Sequence, residues 1–506
     1  MKKIIFKSII AGVLLSFAAC DKKFDDLNTN QTSPTAIDPA FELNQAIINA
    51  SYTTGTVIYE TSIVQQMVTP NSGVLTGANY NQDNRLSTDD NWVQYYRNVI
   101  RNTKDIIRLL KDKPERSNLL QMTRIFQAFT FMVLTDSYGD IPYFEGGGGY
   151  GDQIFFPKYD AQEAIYDDII KELTEASAAL DASKPIETSD VFYSGNIVLW
   201  KKFGYSLLLR AGMHLSEVNA TKAQQTVAAA FAGGVITNNA ENAVVRHDPN
   251  FQSPIGGMLN STEAANWYLA APFVDHLKAN NDPRLSAIAI RYKGAKSGPE
   301  QTPAIGTTAP ADQIGMPMGY DNGTIAPVAA ALGLASFYDF SQVDRRRLVK
   351  VNSPIFLVTA AQNNLLLAEA AQRTWITGDP AAYFEAGVRA HMLQMAAYDP
   401  LSAIPAADIN TYIANHPYDP ANALKQINTE YWIASFLNGP EAWANFRRSG
   451  YPTLTKNPYP GADISGNFIN RLTYPNSEIS VNKANMDEAI SRQGADNLDT
   501  KVWWDK

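Results

Sequence analysis

The chain has 506 residues, 45% hydrophobic and 18% charged, with 31 glycines and 27 prolines, which describes a protein that buries a large core and excludes a disordered or collagen-like one. Its 42 basic and 51 acidic side chains give a formal charge of −9, and no basic run exceeds Arg345-Arg346-Arg347, so a nucleic-acid binder is excluded: phosphate binding needs a basic surface. A single cysteine allows no internal disulfide, and a chain of this length needs none.

Lys2, Lys3 and Lys7 precede the small and apolar run Ile9 to Ala19, which stops at Cys20. Basic start, short apolar middle and small residues before the cut are the parts of a signal peptide, residues 1–19. The run is too short to cross the ~30 Å hydrocarbon core at about 1.5 Å per residue. Phe17-Ala18-Ala19-Cys20 resembles a bacterial lipobox, with Phe17 where Leu is usual, and makes Cys20 the expected lipid-attachment residue. Residues 20–40 are polar and Pro-punctuated and read as a tether, and 41–506 as one body.

From there the strongest signal is helical periodicity. The spacing predicts amphipathic helices at 91–111, 118–138 and 161–180, the last opened by an Asp160-x-x-Glu163 capping box. Further helices are expected at 196–218, 222–232, 354–376, 380–398 and 421–437. Gly378-Asp379-Pro380 supplies a stop, a cap and a first-turn proline, so 354–376 and 380–398 form a tight helical hairpin, loosely like a tetratricopeptide unit. The fold class is therefore mainly α, of stacked helical hairpins with long irregular loops at 69–90, 139–159, 238–264, 293–340 and 451–480. Loops of that length in a compact body usually carry function. Trp200, Phe203, Tyr431, Trp432, Trp443 and Phe446 lie on helical faces and are expected in the core.

The chemistry of catalysis is hard to find. The five histidines are never within four residues of one another, so no zinc helix can be drawn. Gly146 to Gly151 satisfies G-x-G-x-x-G but runs into Asp152-Gln-Ile-Phe-Phe-Pro157 instead of a helix, which defeats a dinucleotide reading. Asp26 starts a calcium-like loop that has Gln31 where glycine is required. No catalytic residue, metal site or cofactor is expected. Two carboxylates meeting across the fold would still allow a surface glycoside hydrolase of helical architecture, the reading from a different class.

What the loops hold instead is aromatic rings beside amides. A sugar offers an apolar C–H face and a polar rim, and a platform for it combines ring faces with side-chain amides or carboxylates. Asn79, Tyr80, Trp267, Tyr268, Tyr320 and Asn322 have that composition and are the candidate ligand-binding residues, suited to an oligosaccharide or an oligopeptide. For each residue alone, a ring that pins its loop to the core is the commoner outcome.

Five landmarks occur in order: Asp136-Ser-Tyr-Gly-Asp-Ile-Pro-Tyr143 after a helix, Asn281-Asp-Pro-Arg-Leu285, the Asn363 to Ala371 run, Asn438-Gly-Pro-Glu-Ala-Trp443 to Arg448, and Arg471-Leu-Thr-Tyr-Pro-Asn-Ser-Glu478. Together they resemble the SusD/RagB family, most closely its SusD-like branch of nutrient-binding outer-membrane lipoproteins of Bacteroidota. The resemblance implies four tetratricopeptide-like helix pairs in a superhelix, lipid anchoring at the cell surface, and a partner: a SusC-like TonB-dependent transporter on which the chain acts as a lid. It also implies that Gly139 and Pro142 make a turn, that Trp443, Arg447 and Arg448 pack a C-terminal helix, and that Asp25-Asp26 direct the lipoprotein outward.

Overall fold

The computed structural model describes residues 37–71, 77–80, 85, 87–149 and 151–506. The expected signal peptide, Cys20, Asp25-Asp26 and most of the tether lie outside the described residues. Helix α1, Pro39–Asn49, opens inside the segment read as tether: Asp38 accepts from Ala40 N at 2.8 Å, and Pro39 sits at the first turn.

Further long helices include α2 (Arg101–Leu110), α3 (Ser117–Tyr138), α4 (Gln162–Ala179), α5 (Ile197–His214), α6 (Ala220–Gly233), α7 (Ala360–Gln372), α8 (Pro380–Gln394), α9 (Ala423–Ala434), α10 (Gly439–Ser449) and α11 (Lys483–Gln493). Chain neighbours pair as α2 with α3, α3 with α4, α5 with α6, α7 with α8 and α9 with α10. Cross-contacts of α4 with α5, α5 with α7, α7 with α9 and α3 with α10 then join the hairpins into one stack, the tetratricopeptide-like superhelix expected of the sequence. Asp379 caps α8 by accepting from Ala381 N at 3.0 Å, with Pro380 in its first turn, as the Gly-Asp-Pro break predicts. Gly204 shows how closely α4 and α5 approach: a Cβ there would lie 2.0 Å from Ser177 Oγ.

Three expectations change. The segment expected as the start of a helix at 354 is a strand up to Val358, because Ile355-Phe-Leu-Val358 is an apolar run without helical period. The helix starts at Ala360, where Thr359 and Gln362 form a reciprocal capping box. Asp160 does not cap α4; its carboxylate accepts from Tyr143 N and Phe144 N at 3.0 and 2.9 Å, while Asp140 accepts from Gln162 N at 2.9 Å. The helix expected at 91–111 is α-helical at Asp90–Tyr95 and Arg101–Leu110, with a wider π segment, Tyr96–Ile100, between them.

The short strands are β1 (Met67–Val68), β2 (Ala243–Val245), β3 (Tyr268–Leu269), β4 (Ala289–Tyr292), β5 (Gly306–Thr307), β6 (Gln342–Val343) and β7 (Ile355–Val358). They pair antiparallel as β1–β3, β2–β7 and β5–β4–β6. The main apolar core runs from Ala40 to Trp504 and includes all six aromatic residues expected on helical faces. Inside it, Arg448 makes two charge-assisted bonds to Glu369 at 2.7 and 2.8 Å, and Arg210 pairs with Glu441 at 2.9 Å. Arg447 lies over the Trp443 ring at 3.8 Å and the Trp504 ring at 4.8 Å, and donates to the carbonyls of Asp136 and Asn470. This is the C-terminal packing that the family landmarks imply. Among the described residues, no helix is long and apolar enough to cross a membrane.

Candidate functional site

Between α6 and α7 the helices are short, and the chain builds a second, smaller core from strands, turns and the helix Ile325–Ala331. Val68, Tyr268, Ala270, Met316, Met318, Ile325, Ala329, Leu334 and Phe340 are its buried members, and Tyr320 and Phe337 pack partly buried against them. The β1–β3 ladder, together with bonds from Leu269 N to Ser341 O at 2.8 Å and Met316 N to Leu269 O at 2.9 Å, fixes this unit.

Three loops far apart in sequence meet at its rim. Asn79 Nδ2 donates to the Tyr320 carbonyl at 3.2 Å, Asn457 Nδ2 donates to Asn79 Oδ1 at 3.4 Å, and Asp463 N donates to the Tyr80 carbonyl at 2.8 Å. The 319 position must be glycine: its φ is +88°, and a Cβ would lie 2.5 Å from Pro458 Cγ. Asp321 closes its own turn by accepting from Gly323 N and Thr324 N at 3.0 Å each, and Tyr459 donates its hydroxyl to the other carboxylate oxygen at 3.4 Å. The Thr324 hydroxyl is the chief reason that the Asp321 carboxyl titrates below its ordinary range, so it stands as an anion. Partial burial and then the Asp321 charge raise the Tyr459 phenol, which stays a neutral donor. Tyr320, Asp321 and Tyr459 are partly exposed and Asn322 is exposed. Two aromatic rings, a carboxylate and an amide thus share one accessible rim.

The six expected residues divide here. Asn79, Tyr80, Tyr320 and Asn322 come together at the junction, while Trp267 and Tyr268 lie on the β3 side of the same loop-built unit. Only Tyr320 and Asn322 reach solvent. Asn79 is buried and spent on bridging the loops. The Tyr80 ring is buried, packed 6.2 Å from Phe468, with its hydroxyl on the Ile63 carbonyl at 3.3 Å. Trp267 and Tyr268 are buried too, and Tyr268 donates to the Ala265 carbonyl at 2.6 Å. Rings enclosed on both faces have none to offer a ligand, so stacking on Tyr80, Trp267 and Tyr268 does not fit this conformation. Asp321 belongs to the Met318 to Asn322 cluster whose composition suits a sugar, whereas Tyr459 lies outside every candidate cluster. The signal available for Tyr459 was its place in Asn457-Pro-Tyr-Pro-Gly461, a turn-rich cluster inside a long loop.

One buried constellation has the residue types of an acid–base site. His214 Nδ1 lies 3.3 Å from Asp136, its Nε2 lies 3.5 Å from Glu441, and Tyr166 Oη is 2.9 Å from Nδ1. Burial alone would lower the imidazole, but the two carboxylates hold it above its ordinary value. The adjoining void is about 10 Å³, too small for a substrate, so the cluster ties α3, α5 and α10 together. Among the described residues, no group of three His, Cys, Asp or Glu is placed to hold a metal ion.

The sequence matches the SusD-like family, described as starch-binding and associating with the outer membrane, over residues 29–475, and the chain belongs to that family. No curated protein matches it. Among solved structures it is similar to a chitin-binding protein at 29% identity and a TM-score of 0.82, with 93% of this chain and 100% of that one covered. A SusD-like protein of Bacteroidetes follows at 26% identity and a TM-score of 0.81, over 93% and 100% of the two chains. A chitin-binding SusD homologue from Flavobacterium johnsoniae shares the fold at 24% identity and a TM-score of 0.76, over 92% and 98%. The family supports a carbohydrate-binding role.

Proposed function

We propose that this chain is an outer-membrane lipoprotein, anchored through Cys20, that captures an oligosaccharide at the Tyr320–Asp321–Asn322–Tyr459 rim and delivers it to a SusC-like TonB-dependent transporter. The observation that carries the reading is a family match over most of the chain, joined to one exposed place where aromatic rings and polar groups converge. The chitin-binding neighbour makes oligomers of N-acetylglucosamine the first ligands to try, followed by starch oligosaccharides.

Stacking on a ring contributes about 1 kcal/mol beyond area burial, so Tyr320→Ala and Tyr459→Ala are each expected to weaken binding by roughly tenfold. Isothermal titration with chitin and starch oligomers reads this. Unchanged affinity in the double variant would remove the rim from consideration, and preferential binding of peptides would move the substrate class. Release of new reducing ends with sustained turnover would replace the binding reading by a hydrolase. Intact-mass analysis of the mature protein tests the acyl chains on Cys20, and co-purification of a barrel transporter tests the partner.

A further inference from the structure

Where the described chain begins, α1 and the loop after α3 face each other across an open cleft of about 670 Å³, lined among others by Ile37, Phe41, Lys104, Gly147 and Asp152. Beyond the cleft, Ile154 N donates to the Gly148 carbonyl at 3.4 Å, and the Phe156 carbonyl is held to α11 by Asn485 Nδ2 at 3.0 Å. Lys104 Nζ donates to the Phe144 carbonyl at 3.2 Å. Phe41, Phe144, Phe155 and Phe156 are 58%, 52%, 64% and 61% exposed. Among the described residues only one other phenylalanine, Phe251, is comparably open, so exposed phenylalanine is concentrated on this face.

Single exposed apolar side chains need no explanation, but four open phenylalanines on the two segments beside one cleft do. The charge of this face is informative. Arg101, Lys104, Arg108 and Lys158 stand among Glu42, Asp105, Glu145, Asp152 and Asp160, so within a chain of formal charge −9 this face is close to balanced and its cations can meet an anionic headgroup layer. Its position is informative too. Ile37, where the described chain starts, is on the cleft and 51% exposed, and only residues 21–36 separate it from Cys20. Fully extended, that connection spans at most about 60 Å.

We infer that the Phe41–Phe144–Phe155–Phe156 rim is a membrane-contact surface whose rings enter the headgroup layer of the bilayer that holds the acyl chains. The inference rests on the lipid anchor proposed above. The anchor makes the contact intramolecular, so a rim too weak to bind membrane alone is occupied once tethered. The body then leans on the bilayer by this face and turns the sugar-binding rim to a fixed orientation.

The test uses the full chain purified from its membrane in detergent, carrying Phe156→Cys or, as a control on the loop after α8, Leu401→Cys, where Leu401 is 79% exposed. Each is labelled with a polarity-sensitive thiol dye and reconstituted without a transporter into phosphatidylethanolamine–phosphatidylglycerol vesicles, with and without doxyl-labelled lipid. The unsubstituted chain takes up no dye if Cys20 is acylated; labelling of it, with failure to float with vesicles, overturns the anchor and this inference together. With flotation intact, a blue-shifted emission at 156 and quenching several-fold stronger than at 401 is the expected result. Aqueous-like emission at both positions overturns the membrane contact and leaves the anchor standing. Shielding at 156 only after a barrel transporter is added also overturns it and assigns the rim to that protein.

Discussion

Buried charge decides the residue-scale energetics. Burial alone would raise the Glu369 carboxyl, but the Arg448 fork and Arg373 hold it down to about 2. A folded-state pKa below the ordinary 4.5 contributes stability that is present above that pH and is lost as pH falls toward 2. Arg448→Met takes the bidentate partner from the buried carboxylate, leaving it Arg373 and the Asn428 amide, and is expected to cost about 3 kcal/mol by urea denaturation at neutral pH; Glu369→Gln with Arg448→Met should cost less. Glu60 is the opposite case. Burial raises its carboxyl to about 8 despite an Asn91 Nδ2 bond at 3.1 Å. Its stabilising contribution is full below about 4.5 and declines as pH rises through 8. Wild-type melting temperature should therefore fall between pH 5 and 9 more steeply than that of Glu60→Gln, by an amount on the order of a few kcal/mol; parallel curves would refute the assignment. Glu369 stands inside a landmark run and was visible in the sequence, but Arg448, 79 positions later, could not be matched to it by spacing. The candidate ligand residues were hard to place for a related reason. Tyr80 and Tyr320 sit beside polar neighbours in loops without period, and without a period nothing assigns a ring to the inner or the outer face.

At the scale of elements, the helices were legible because their signals are local: α3 and α4 lie within a residue or two of their predicted bounds, and the Asp379-Pro380 start is where the dipeptide places it. The strand β7 was not, since four apolar residues before a helix continue its hydrophobicity while pairing with β2, more than a hundred positions earlier. Asp160 failed as a cap because Tyr143 N and Phe144 N compete for the same carboxylate. Close approach between elements is equally invisible in one sequence. Gly204 lets α5 lie against α4, with Ser177 Oγ 2.0 Å and Ile125 Cδ1 3.1 Å from where a Cβ would be. Gly204→Val is accordingly expected to destabilise by about 1–3 kcal/mol, whereas Gly257→Ala, with open space around the corresponding position, should cost much less; urea midpoints compare the two.

For the whole molecule, the decisive feature is how the proposed sugar-binding rim is held. Its loops come from the chain's beginning, middle and end, as the Asn79–Tyr320 and Asn79–Asn457 bonds show, and β1 carries the helical body directly into the second core. A ligand gripped between Tyr320 and Tyr459 therefore bridges segments that separate only when the packing between the two cores is lost, and its binding energy should appear in the global transition rather than in a local one. At a free concentration of 100 times its Kd, a bound oligosaccharide adds about 2.7 kcal/mol to unfolding. Calorimetry with increasing N-acetylglucosamine oligomer should show one transition moving upward with concentration, and no movement in the Tyr320→Ala, Tyr459→Ala double variant. A ligand that splits the transition in two, raising one part alone, would mean that the loop-built unit unfolds independently of the helical stack.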